Sequence, residues 1–187
     1  MAAKKAASAL DEEVAVMASP GKLAHIVLRT GQVPEMTEWY VRVLEGRVTF
    51  SNGFIAFLTY DDEHHRIALV GTGASERPGE SHTGLHHAAF TYDTLGDLLG
   101  TYRRLKADGV HPFWCINHGP TTSMYFADPD GNHIELQIDN FATEAELDRW
   151  FHSGAFADNP IGVEFDPDEL VRRFESGEPL AELVKQS

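Results

Sequence analysis

Glu135 is a carboxylate in the middle of the segment His133-Ile134-Glu135-Leu136-Gln137, with an apolar neighbour on either side. In an extended strand Ile134 and Leu136 face one way and Glu135 the other. Burying a carboxylate unpaired costs several kcal/mol, so a metal ion, an arginine or an open, wet cavity must meet it. The chain also carries 10 histidines among 187 residues, more than packing alone asks for. Imidazole binds metals and exchanges protons near neutral pH, so the placing of the histidines decides what Glu135 can do.

His25 and His87 hold equivalent places in a duplicated unit. Leu23-Ala24-His25-Ile26-Val27-Leu28 aligns with Leu85-His86-His87-Ala88-Ala89-Phe90, and Tyr40 or Tyr102 follows each histidine by 15 residues. Apolar residues recur at helical spacing in both copies: Met36, Trp39, Tyr40, Val43 and Leu44, then Leu95, Leu98, Leu99, Tyr102 and Leu105. Pro34 and Asp93-Thr94 are entry signals for these helices, and Gly46 and Gly109 are placed to end them in a left-handed conformation. Three β-like segments follow each helix. The spacing predicts strands near 23–30, 47–51, 54–60 and 65–70, then near 85–92, 111–117, 122–127 and 133–138. Each copy therefore reads β-α-β-β-β.

The turn-forming run Asp128-Pro129-Asp130-Gly131-Asn132 closes a hairpin. A loop centred on Asp130 sets Tyr125 opposite Glu135 and Ser123 opposite Gln137 on one face. Met124, Phe126, Ile134 and Leu136 take the other. Overlaying the copies puts Ala68 in the slot that Glu135 fills, so the duplication is asymmetric: two first-strand histidines, one acid.

Composition narrows the function classes. With 42% hydrophobic and 24% charged residues, and no apolar run near the roughly 20 residues of a bilayer span, the chain reads as a soluble globular α+β protein. A net charge of −14 repels phosphate backbones and anionic membranes, which excludes nucleic acid and membrane partners. The one cysteine, Cys115, rules out an internal disulfide and points to a reducing compartment, the cytoplasm. Residues 1–20 read as an arm without a secretory signal, residues 21–80 and 81–138 as the two modules, and residues 139–187 as an extension. That extension holds twelve acidic against four basic residues. Its aromatics, Phe141, Trp150, Phe151, Phe156 and Phe165, are too many for a disordered acidic tail. It is expected to be helical and to fold back over a module or onto a neighbouring subunit.

Two βαβββ copies with a histidine on each first strand, together with Ser123-Met124-Tyr125-Phe126-Ala127-Asp128-Pro129-Asp130-Gly131-Asn132-His133-Ile134-Glu135-Leu136, resemble the vicinal oxygen chelate superfamily. That group includes glyoxalase I, the fosfomycin-resistance enzymes and the type I extradiol ring-cleaving dioxygenases. The resemblance covers about residues 23–138. Leu85-His86-His87 followed by Ala88-Ala89-Phe90 looks most like the extradiol enzymes, in their small one-domain, 2,3-dihydroxybiphenyl-cleaving form. The resemblance implies two paired modules forming a curved, barrel-like mixed sheet around a metal site. It implies His25, His87 and Glu135 as ligands of Fe(II), with Mn(II) accepted by the same set, leaving coordination positions open.

Three further positions match that subfamily. His65-x-Ile67-Ala68 resembles a histidine that meets the substrate or oxygen, His118 the acid/base histidine, and Tyr125 the tyrosine that hydrogen-bonds the substrate oxygen. Two departures accompany the match. His118 lies seven residues before Tyr125, closer than in the larger catechol enzymes. Strand alternation puts His65 and Ala68 on opposite faces, so His65 needs a strand end or bulge, and His64 is the alternative. The implied reaction is cleavage of a catechol-type diol by O2 beside its two hydroxyls, with His118 as general acid and base and with Phe57 and Trp114 against the ring. Small relatives associate, which implies a homodimer or higher assembly. The competing readings are a thiol transferase or isomerase on the same scaffold, for which Arg29 and Arg66 are the main basic candidates, and a metal-free binding module.

Overall fold

The computed structural model describes residues 19–76, 79, 81 and 83–186. Residues 1–18 of the expected arm lie outside the described residues.

The first repeat forms β1 (Ile26–Thr30), α1 (Val33–Leu44), β2 (Arg47–Ser51), β3 (Ile55–Thr59) and β4 (Ile67–Gly71). The second forms β5 (His87–Thr91), α2 (Leu95–Ala107), β6 (Trp114–Asn117), β7 (Thr121–Ala127) and β8 (His133–Asp139). Pro34 stands in the first turn of α1, and the Thr94 side chain caps α2 by accepting from the amide of Asp97. Gly109 ends the second helix with φ of 77°. In the first repeat Glu45, and not Gly46, takes the left-handed conformation, with φ of 48°. Gly46 is required for space instead: a Cβ there would lie 2.9 Å from the carbonyl oxygen of Thr59.

Each module keeps its own mixed sheet, ordered β1-β4-β3-β2 in the first and β5-β8-β7-β6-β9 in the second, where β9 is Val163–Glu164 of the extension. In both, the first strand runs parallel to the last strand and forms an edge; His87 opens β5, while His25 stands just before β1. The helix-facing sides share one apolar core. Met36, Tyr40 and Val43 of α1 and Leu98, Leu99 and Leu105 of α2 join Ile67 and Leu69 of β4, Met124 and Phe126 of β7, and Ile134 and Leu136 of β8. The modules are thus fastened through their helices. Tyr40 donates to Asp128 Oδ2 at 3.0 Å, Gln32 to Asp130 Oδ1 at 2.7 Å, and Arg104 to the Arg42 carbonyl at 2.6 Å.

Asp128 is buried and also accepts from the amides of Asp130 and Asn132 and the Asn132 side chain. Burial, followed by the neighbouring Asp128 carboxylate, holds the Tyr40 phenol far above its ordinary pKa. Tyr40→Phe removes one donor from a buried carboxylate and is expected to cost about 1–3 kcal/mol. Urea unfolding would show this as a lower midpoint at unchanged slope; an unchanged midpoint would refute the clamp.

The extension folds over the second module. It forms α3 (Glu144–His152), α4 (Ala155–Asp158), β9, α5 (Pro167–Glu175) and α6 (Leu180–Leu183). Helix α5 lies along α2, where Asp168 accepts from Tyr102 at 2.8 Å and from Lys106 at 2.6 Å. Leu170 and Leu183 enter the core.

Candidate active site

Strand pairing puts the second module's polar residues on the sheet face opposite the core. Tyr125 pairs with Glu135 across β7 and β8, and Ala89 pairs with Glu135 across β8 and β5. His87, two residues before Ala89, therefore shares that face and reaches the carboxylate: His87 Nε2 lies 2.9 Å from Glu135 Oε2. Glu135 is only 4% exposed. The hairpin register is the expected one.

His118 closes the group from the end of β6. Its Nε2 is 3.0 Å from the Tyr125 hydroxyl and its Nδ1 is 2.5 Å from the carbonyl oxygen of Ile161. Trp114 pairs with Tyr125 across the strands, its ring 5.0 Å away and edge-on to His118 at 5.6 Å. His87, Glu135, Tyr125, His118 and Trp114 form one continuous line of contacts. Burial first, and then the adjacent Glu135 carboxylate, push the Tyr125 phenol above its ordinary pKa. The hydroxyl keeps its proton at neutral pH and directs it to the Glu135 carboxylate.

His25 and His65 meet on the other sheet. His25 immediately precedes β1 and His65 precedes β4. The Ile26 amide bonds the Arg66 carbonyl at 3.0 Å, so the two strand starts run together. The His65 ring stacks on Phe57 at 4.4 Å and lies 4.3 Å from His25. Phe57 pairs with Ala68, which puts this group on the face opposite the core. The break in alternation is the stretch 64–66, ahead of the strand, as the position of His65 required. His64 is exposed, with its Nδ1 2.5 Å from that of His65. Burial first, and the adjoining His25 and His64 next, hold His65 below the usual imidazole pKa.

Among the described residues no three His, Cys, Asp or Glu side chains come together to hold a metal ion. The expected set is divided: His87 with Glu135 on the second sheet, His25 with His65 on the first. Phe57 and Trp114 are divided in the same way. Arg66 is spent on Asp61, 2.9 Å away, and on the Leu23 carbonyl. Burial pushes the Cys115 thiol up to about 12, so it is no nucleophile at neutral pH.

The sequence reading missed two contributors, the Ile161 carbonyl and Glu164, whose Oε1 accepts from Trp114 Nε1 at 2.7 Å. A backbone carbonyl leaves no signature in residue type, and Glu164 is one acid among many in the extension. No helix among the described residues is long and apolar enough to cross a membrane.

The family model for the Glyoxalase/Bleomycin resistance protein/Dioxygenase superfamily matches residues 22–136. Biphenyl-2,3-diol 1,2-dioxygenase 2 of Rhodococcus globerulus is 43% identical over 165 residues, 88% of this chain and 87% of that protein. Biphenyl-2,3-diol 1,2-dioxygenase 3 of the same organism is 45% identical over 169 residues, 89% of this chain and 88% of that protein. A lactoylglutathione lyase from Agrobacterium tumefaciens shares the fold at 16% identity and TM-score 0.52, covering 64% of this chain and 94% of its own. A fosfomycin resistance protein from Listeria monocytogenes does so at 21% identity and TM-score 0.52, over 70% of this chain and 98% of its own.

Proposed function

The chain belongs to the Glyoxalase/Bleomycin resistance protein/Dioxygenase superfamily, and we propose that within it the protein is an extradiol dioxygenase that opens catechol-type rings with O2. Relatives 43% and 45% identical over nearly the whole chain are named biphenyl-2,3-diol 1,2-dioxygenases, a name that puts cleavage beside the two hydroxyl-bearing carbons. The observation that carries the reading onto this chain is the unbroken contact line of His87, Glu135, Tyr125 and His118 on one sheet face. A metal-free binding module has no use for a nearly buried carboxylate placed against an imidazole.

In this reading Tyr125, held protonated, donates to an oxygen of the bound diol. His118 takes a proton from a diol hydroxyl at Nε2 and returns it as the ring opens. Trp114 flanks the ring, and His65 with Phe57, which lie on the other sheet, would supply the facing wall from a second copy of the chain. Imidazole and carboxylate donors suit Fe(II), and Mn(II) accepts the same set. The single, half-buried thiol fits a reducing cytoplasm.

Among the described residues, one copy of the chain brings together two of the three expected ligands, His87 and Glu135. We assign the third, His25, to a second copy in a homodimer. The sheet face carrying His25 and His65 is open and apolar: Val27 is 54% exposed and Phe50 49%. Leu23 and Leu85, each two residues before its histidine, are 76% and 73% exposed. Both β1 and β5 are edge strands, which need a cover. A two-fold dimer that lays the first sheet of one copy on the second sheet of the other would cover these surfaces twice, and would bring His25 to His87 and Glu135.

The direct test is anaerobic iron loading, followed by admission of air with biphenyl-2,3-diol or catechol. Consumption of one O2 per diol with a coloured ring-opened product is expected. No O2 uptake with any diol by iron-loaded protein would end the reading. His118→Gln should lower kcat by about 10²–10⁴ at unchanged iron content.

A further inference from the structure

His118 can act as a base toward a diol only if Nε2 carries the lone pair. Neutral imidazole in water prefers its proton on Nε2, so something must hold the other tautomer. The Ile161 carbonyl, 2.5 Å from Nδ1, can only accept. It fixes the proton on Nδ1 and turns Nε2 to the Tyr125 hydroxyl, 3.0 Å away.

The segment that carries Ile161 is built to stay there. Asn159 brackets it, donating from Nδ2 to the Gly162 carbonyl at 2.8 Å and accepting at Oδ1 from the Gly162 amide at 2.9 Å. Gly162 has φ of 118°, and a Cβ on it would lie 2.9 Å from His118 Cα and run into the Asn117 carbonyl oxygen. On the other side of His118, Gly119 has φ of 96°, and a Cβ there would run into the Trp150 ring. Two glycines in left-handed conformations thus let the extension press on the backbone around His118. Beyond Gly162, β9 pairs with β6, Val163 to Asn117 and Glu164 to Ile116. This leaves Glu164 in reach of the Trp114 indole, which it holds at 2.7 Å.

We propose that residues 159–164 are a positioning element for the acid/base pair: the Ile161 carbonyl, clamped by Asn159, sets the His118 tautomer, and Glu164 sets the Trp114 ring that flanks the substrate. This rests on the dioxygenase reading for its kinetic consequences, but not for the tautomer itself. Proton transfer stays with His118 and the hydrogen bond to the diol with Tyr125. Residues 159–164 act through their neighbours.

Nitrogen-15 NMR of the full metal-free chain with labelled histidine reads the tautomer directly, with His118 assigned by comparison with His118→Gln. Nδ1 is expected to carry the proton in the native chain, and Asn159→Ala should shift the population toward Nε2–H. In the iron-loaded enzyme the same variant should lose roughly tenfold in kcat, with KM within about twofold. Glu164→Ala should show the opposite pattern, KM raised by roughly three- to tenfold with kcat and tautomer unchanged. Glu164→Gln should restore KM, because its amide oxygen can still accept from the indole. A native His118 with its proton on Nε2 would overturn the proposal, and so would an Asn159→Ala chain with native tautomer and native kcat. If the native protein turned over no diol, the dioxygenase reading would fail while the tautomer measurement still judged the positioning element.

Discussion

Glu135→Ala protein is expected to retain no iron through desalting and to open no ring. Glu135 is the one acid of the divided ligand set and the only one of the three that could neutralise charge on a divalent ion. Its carboxylate is almost fully buried against His87, and an alanine methyl leaves no donor oxygen in its place. Loss of affinity by more than about 100-fold is the expected scale, since even residues that merely orient a ligand cost 10–100-fold. Metal analysis after anaerobic loading, together with an iron titration, measures it. The side chain lies on the face opposite the core, so the fold should survive, and far-UV circular dichroism checks this. Tyr125→Phe is the companion: it should keep iron and lose turnover. Full iron retention by Glu135→Ala would show that the ion sits elsewhere.

The second large effect is a restoration. His25→Ala and His87→Ala are both expected to be inactive and nearly iron-free on their own. His25 is exposed and the His87 ring half-buried, so neither change opens a cavity. When the two variants are co-expressed at equal levels, random pairing makes about half of the dimers mixed. In each mixed dimer one site takes His25 from the His87→Ala chain and His87 with Glu135 from the His25→Ala chain, and is intact, while the other site lacks both histidines. Iron content and ring cleavage should therefore return to about a quarter of native values. If all three ligands came from one chain, no pairing could restore anything. Light scattering on the separate variants shows whether each remains a dimer, which keeps failure to associate distinct from failure to share a site.

Much of this could be read from residue order alone, because it depends on periodicities of two and 3.6 residues and on turn chemistry. Asp128-Pro129-Asp130-Gly131-Asn132 closes its hairpin where the turn residues demand, and the alternation then leaves no choice about which residue faces Glu135. The same alternation sends Ile134 and Leu136 to the core and places His87 on the carboxylate's side. The repeated helices follow from their apolar stripes. What failed locally did so for a steric reason: Gly46 looked like a left-handed cap, but the Thr59 carbonyl needed its missing side chain, and Glu45 took the conformation instead.

Two βαβββ modules, the pairing of Tyr125 with Glu135, and the donor types at the start of each repeat follow from residue order, since these are set within a strand or a hairpin. Which donors meet depends on how the modules pack. The modules join through their helical faces, a matter of apolar packing that carries no directional code, and that union leaves His25 with His65 on one sheet and His87 with Glu135 on the other. The hold on His118 was equally invisible, because its partner at Ile161 is a backbone carbonyl that any residue possesses. It becomes specific only where Asn159 and two glycines bring that backbone within hydrogen-bonding distance.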